Sequence, residues 1–397
     1  MNPHFPEIKK NFGFGCMRLK MNGDEVDYDG EEHSNTTGAT ADDLVSGQQA
    51  VYDGDGATEE SEVLRDETDY SVILSYDNEH GVVVVTEAGE DVTRNYSISY
   101  EYGQLTINPR PIVVTTGSGE WTYDGDKHSK TDGATADDLV LDHKVVYDGK
   151  KTTEVSEVLR SETDYSVISS YDNEHGVVVV TEEGVDVTKN YDIVEYVWGK
   201  LTINPRPIHI QTNTSTHVYD GELYSDGKFD YAERDLVKGQ EIKVSTTLPS
   251  VKYVEAEPTL NEFGVKVWAG NTDVSYNYDI RYTYGTIAIT PLAITFTVTD
   301  NDKVYDGTPL HGEEYTTTPD LVKEDQAEVR FVGEITNVGT EDCEIIVDRI
   351  YNDERDVTNC YVITCEKGTL EITPRPIVVT TGRETWTYDG DKHSNTT

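Results

Sequence analysis

A closing phrase returns four times along this chain, and it constrains the fold more than any other feature. It reads DVTRNYSISYEYGQLTINP over residues 91–109 and DVTKNYDIVEYVWGKLTINP over 186–205. It loosens to DVSYNYDIRYTYGTIAITP over 273–291 and to DVTNCYVITCEKGTLEITP over 356–374. Following each unit's expected first strand, Tyr-Asp-Gly occurs at Tyr28, Tyr123, Tyr219, Tyr305 and Tyr388, at intervals of 95, 96, 86 and 83 residues. Self-similarity at a near-fixed period marks a repeat architecture. A period of about 90 residues is long enough for each unit to bury its own core. The spacing therefore predicts separate beads in series rather than a continuous superhelix.

The first two units are near-copies. SYDNEHGVVVVTE occurs verbatim at 75–87 and 170–182, and GATADDLV at 38–45 and 133–140. The pattern divides the chain into a non-repeat segment, 1–16, and repeats 1 to 4 at 17–109, 110–205, 206–291 and 292–374. Residues 375–397 begin a fifth repeat, because WTYDGDKHS at 386–394 copies 121–129. Such a stop reads as the edge of a fragment of a longer protein.

Charge narrows the function classes. Lys and Arg number 32 against 76 Asp and Glu, a net charge of −44. That balance opposes nucleic acid and anionic membrane surfaces, both polyanions. It also raises the question of disorder. The apolar residues, however, come in β-branched and aromatic strand-length runs such as 82–85 and 112–114, and the chain holds 26 Tyr. Ordered β-structure is the expectation. No run approaches the roughly 20 apolar residues that span a bilayer. Residues 1–20 lack the apolar core of a signal peptide, so export signals and anchors would lie outside this sequence.

Repeat 2 reads as mostly β. Residues 112–116 form a first strand. Trp121-Thr122-Tyr123 alternates and leads into Asp124-Gly125, the chemistry of a tight hairpin turn. Tyr123 is expected to be buried there, in preference to serving a ligand loop. Residues 135–140 are expected to make one short helical turn capped by Thr135, and 153–160 is ambiguous between helix and loop. Residues 177–180 suit a strand covered on both faces. Residues 191–196 and 200–203 read as a closing hairpin turning at Gly199. Between repeats stand Asn108-Pro109-Arg110-Pro111, Asn204-Pro205-Arg206-Pro207 and Thr373-Pro374-Arg375-Pro376, with a weaker Thr290-Pro291-Leu292-Ala293. Proline fixes its own φ and extends the residue before it, so these joints are expected to be short and stiff.

These residues resemble a known family. The opening Tyr-Asp-Gly, the DVTxNY phrase and the closing GxLxIxPRPI (Gly199 to Ile208 in repeat 2) are similar to the MBG/YDG-type repeats of large bacterial surface proteins and adhesins. The likeness runs from about Met17 to the end. It implies small β-grasp-like or β-sandwich-like domains in an extended rod, an extracellular or surface location, and a stalk or adhesive role alongside the rest of a parent protein. It brings no catalytic residues. Repeat 4 departs from the phrase, with Asn359-Cys360-Tyr361 where the others have Asn before Tyr.

No HExxH, GxSxG or Walker loop is present, and Phe12-Gly13-Phe14-Gly15 lacks the third glycine of a nucleotide-binding turn. A non-enzyme is expected, with no resident cofactor. Calcium is the metal best suited to the oxygens of Asp53-Gly54-Asp55, Asp124-Gly125-Asp126 and Asp137-Asp138, but no 12-residue loop with the right ligand spacing is present and solvated acidic turns are the favoured reading. Zinc through His33, His80, His128 or His175 is disfavoured, since repeat 3 has Tyr224 and Phe263 in the corresponding regions. Among Cys16, Cys343, Cys360 and Cys365, a simple hairpin about Asp353-Glu354 would set Cys343 opposite Cys365. That leaves a cross-strand disulfide or reduced thiols open. Lys189 is not repeated between units, which argues against an isopeptide bond. Two roles stay open for the array: a stalk, or a module binding a host glycan or protein through Trp121, Tyr123, Trp198 and Trp268. A third reading makes the repeats accessories of a secreted enzyme encoded elsewhere in the parent gene.

Overall fold

A computed structural model describes residues 17–353 and 355–396. The non-repeat segment 1–16, with Phe12 to Gly15 and Cys16, lies outside them, as does Glu354. The chain divides into two compact units, Met1–Arg206 and Pro207–Thr397. The first holds repeats 1 and 2, the second repeats 3 and 4. The protein is mostly β, a tandem series of small two-sheet domains.

Repeat 2 shows the plan. Arg110–Thr115 lies between Thr135–Ala136 and Tyr191–Val197 in one three-stranded sheet. Lys200–Asn204 lies between Gly119–Thr122 and Tyr171–Asp172 in a second. The two closing strands are therefore not a hairpin. Each pairs parallel with one of the two opening strands, Ile112 opposite Ile193 and Trp121 opposite Ile203. The inward residues alternate as expected of a period-two pattern, with Ile112, Val114, Leu201 and Ile203 fully buried. Each such side chain contributes about 1.5–3 kcal/mol by leaving water.

The split explains the glycine of the closing phrase. The chain crosses between sheets at 116–118 and again at 198–199, and the two crossings touch. A Cβ on Gly199 would lie 2.3 Å from the Gly117 carbonyl oxygen. The same collision awaits a side chain at Gly103, Gly285 and Gly368. The crossing's polar groups are met locally. Gly199 N–H donates to Thr116 Oγ1 at 2.8 Å, and Asn173 Nδ2 donates to the Gly117 and Lys130 carbonyls at 2.7 and 2.8 Å. Asn78 and Asn261 make equivalent bonds, to Asn22 and Asn213.

The DVTxN phrase folds into one 3-10 turn in every repeat: Thr93–Asn95, Thr188–Asn190, Ser275–Asn277 and Thr358–Cys360. Its Asp accepts the N–H two residues on, at 2.8–3.0 Å. Its Thr or Ser oxygen accepts a strand N–H, as from Val179 to Thr188 at 2.8 Å.

Two local expectations change, and the reading left open at 153–160 is decided. Residues 135–140 hold no helix. Thr135–Ala136 is instead an edge strand on Val114 and Thr115, where pairing outweighs local capping. The region 153–160 is also non-helical, with Val155 bridged to His128 and Leu159–Arg160 paired to Ile168–Ser169. Asp124-Gly125 makes an Asx turn, Asp126 N–H donating to Asp124 Oδ1 at 2.9 Å, and no hairpin. Gly125 does take the expected positive φ, +84°.

The cores also differ from isolated beads. In the first unit one buried cluster joins Tyr28, Val63 and Ile107 of repeat 1 to Ile112, Val114, Val179 and Tyr191 of repeat 2. In the second, Tyr219, Ile287 and Ile289 of repeat 3 pack with Ile294, Phe296 and Tyr361 of repeat 4. Within each unit, neighbouring repeats share apolar surface, as in nearest-neighbour repeat proteins.

Candidate functional site at the repeat joints

The shared cores centre on the Tyr-Asp-Gly tyrosine. Tyr28, Tyr123 and Tyr219 are 5, 4 and 1 % exposed, whereas Tyr305 is 39 % and Tyr388 95 % exposed. In the first joint, Tyr28 meets the Tyr191 ring edge-on at 5.5 Å and stacks over His143 at 6.4 Å. In the joint between repeats 3 and 4, Tyr219 meets Tyr361 edge-on at the same 5.5 Å. The motif's glycine allows the next repeat to close in. A Cβ on Gly30 or Gly221 would lie 2.8 or 2.6 Å from the Cγ1 of Val140 or Val322. Both glycines also have positive φ, +83° and +79°.

Polar contacts tie the first joint. Val63 N–H donates to Asn190 Oδ1 at 2.8 Å, in a buried setting. Arg65 donates to the Lys189 and Tyr191 carbonyls at 2.6 and 3.0 Å, and Lys189 pairs with Glu62. Arg110 of the Pro-Arg-Pro junction donates to the Asp138 carbonyl and carboxylate, both at 2.7 Å, and to the Tyr28 carbonyl at 3.4 Å. The junction arginine therefore clamps the opening tyrosine of one repeat to a loop of the next.

Behind each phrase tyrosine stands a variable partner. Tyr96 and Tyr278 donate to Gln48 and Gln240 Oε1 at 2.6 and 2.7 Å. The Tyr191 hydroxyl lies 2.7 Å from His143 Nδ1. In repeat 4 the partner is Asp325, buried, whose Oδ2 accepts from both Tyr361 at 2.7 Å and Tyr219 at 3.0 Å. Asn352 donates to its other oxygen at 2.8 Å. Burial raises the Tyr28 and Tyr191 phenols, and burial plus donation to Asp325 raises those of Tyr219 and Tyr361 further. Burial lowers His143 below the ordinary imidazole value. These groups are held neutral in packed interfaces, an arrangement suited to fixing orientation.

The other sequence candidates fall elsewhere. Cys343 and Cys365 are free thiols on different sheets, Cys343 buried opposite Gly368 and Cys365 exposed opposite Phe296. The hairpin about Asp353 is real but lasts two residues, Tyr351 opposite Asp356, before the 3-10 turn redirects the chain. Among the described residues, no group of three or more His, Cys, Asp or Glu converges on a metal position. Asp53 and Asp124 cap their own turns, Asp137 accepts from Val113, and Asp138 holds Arg110. His128 stacks on Trp121, and His175 is buried edge-on to Tyr147. Tyr123 is core, while Trp121, Trp198 and Trp268 are half-buried. Sequence reasoning missed Val63, Asn190 and the His143/Asp325 position. Their one signal was the variability of that last position between otherwise similar loops.

No family model and no curated protein matches this chain. Among solved structures, the Bacillus anthracis TIE protein is 11% identical over 92% of this chain and 76% of its own, with a TM-score of 0.25. The three N-terminal domains of the bacteriophage RB49 Highly Immunogenic Outer Capsid protein are 10% identical over 67% of this chain and 99% of theirs, at 0.20. The N-terminal four Ig domains of Dscam1 isoform 4.4 are 11% identical over 89% and 97%, at 0.15. Likenesses of this size carry no functional inference.

Proposed function

We propose that this chain is a non-catalytic spacer from a secreted or surface-displayed, adhesin-like protein, and that its repeats hold a distal domain away from its anchor. The observation that carries this reading is the joint. Tyr28 and Tyr219 seat in the following repeat, and side chains from both sides close hydrogen bonds across the boundary. Ordering such contacts restricts bending between neighbours, which a spacer requires and an independent set of binding beads does not. Resemblance to MBG/YDG-type surface repeats supports the same reading, as does the net charge of −44, which favours a hydrated, non-associating surface.

Small-angle scattering of the full chain tests it. A compact globule of this length would have a radius of gyration of about 21 Å. A spacer is expected to scatter as a markedly elongated particle, well above that value and unchanged by salt. A compact particle overturns the proposal.

A further inference from the structure

Repeat 2 carries a surface cavity of about 490 Å³ whose wall combines aromatic and polar groups. Tyr196 on the strand Tyr191–Val197 and Trp198 just past its end stack at 4.6 Å with 12° between their planes, and both are half-exposed. Lys151, Thr152, Glu174 and His175 complete the wall. Thr152 Oγ1 and His175 Nε2 are buried without a hydrogen-bond partner. His175 Nδ1 donates to the Gly176 carbonyl at 3.2 Å, so in the neutral ring Nε2 is an acceptor.

Repeat 1 holds a near-copy of this wall with three substitutions. Glu174, His175 and Gly176 match Glu79, His80 and Gly81 within a verbatim stretch. Lys151, Thr152 and Trp198 instead replace Gly56, Ala57 and Tyr102. The lysine sits where repeat 1 has a glycine at φ +67°, and it keeps a left-handed φ of +44°. A side chain there is strained, yet the lysine is kept on the wall of the cavity.

We propose that this cavity binds a neutral pyranose unit of a glycan. The apolar C–H face of a sugar ring suits the Trp198 indole. The residues of the wall include donors and acceptors together, in Lys151, Thr152, Glu174 and His175. A hydroxyl satisfies both kinds, whereas an anion meets Glu174 and a net charge of −44, and a cation meets Lys151. The proposal does not rest on the spacer reading.

The full chain on a printed array of neutral and acidic oligosaccharides supplies the test, followed by saturation-transfer NMR with a neutral hit. The expected result is saturable binding of a neutral glycan with saturation at ring C–H protons, lost in Trp198→Ala and weakened about tenfold in Lys151→Gly. The second variant restores the residue of repeat 1 and relieves its strained φ, so a folding defect does not account for its loss of binding. No binding at millimolar concentration, binding of acidic glycans only, or binding that survives Trp198→Ala overturns the proposal.

Discussion

The amide of Val254 donates to Cys360 Sγ at 3.5 Å, at the place in the joint between repeats 3 and 4 where Val63 donates to Asn190 Oδ1 in the joint between repeats 1 and 2. Sulfur is the weaker acceptor. Cys360→Asn is expected to stabilise the second unit by about 0.5–1.5 kcal/mol, the net worth of an ordinary hydrogen bond. Cys360→Ala leaves the Val254 amide unpaired and is expected to cost about 1–3 kcal/mol. Urea unfolding of the full chain, following the fluorescence of Trp268 in a variant lacking the other tryptophans, measures both.

Asp325 holds two phenols on one oxygen. Hydrogen bonds to a charged group are worth about 1.5–3 kcal/mol. Tyr219→Phe is expected to destabilise the second unit within that range. Because the two phenols share an acceptor, Tyr219→Phe and Tyr361→Phe are expected to be non-additive in a double-mutant cycle.

His143 gives the first joint a pH dependence. Burial lowers its folded-state pKa, so the folded form favours the neutral ring. The associated stability is complete above the unfolded value, near 6.5, and is lost as pH falls below it. The melting temperature of the first unit is expected to drop between pH 7 and pH 5. His143→Gln, which installs the residue found at positions 48 and 240, is expected to flatten that drop in a calorimetric series.

One motif should have two costs. Tyr219 is core and Tyr305 is substantially exposed. Tyr219→Ala is expected to cost about 3–5 kcal/mol and Tyr305→Ala under about 0.5 kcal/mol. Nitration with tetranitromethane, read by peptide mass spectrometry, should modify Tyr305 and Tyr388 well before Tyr28 and Tyr219.

Gly199→Ala drives a methyl into the carbonyls of Thr116 and Gly117, at 2.4 and 2.3 Å. Neither backbone can yield without parting the sheets, so a loss above about 3 kcal/mol is expected, beyond ordinary overpacking. Gly184→Ala meets open space and is strained only by its φ of +88°. It should cost about 1–2 kcal/mol. Thermal melts of the two variants make the comparison.

The sequence made the β class, the strand positions and the burial of Tyr123 legible, because period-two patterning and turn chemistry are local. It misplaced what depends on distant partners. Residues 191–196 and 200–203 look like a hairpin because they are adjacent, yet each finds its partner some eighty residues upstream. Cys343 and Cys365 were brought together by the same assumption. Residues 135–140 favour a capped turn locally, but the open edge of Arg110–Thr115 offers Thr135 and Ala136 backbone partners. The joints were legible only as stiff prolines, since Asn190 and Val63 are 127 positions apart.

The parallel pairing of opening and closing strands has a consequence for load. In a parallel pair the start of one strand and the end of the other lie at opposite ends of the ladder. Tension entering a repeat at Arg110 and leaving at Asn204 therefore runs along the strands and strains their hydrogen bonds together, in shear. A hairpin closing the same domain would have given way one bond at a time, like a zip.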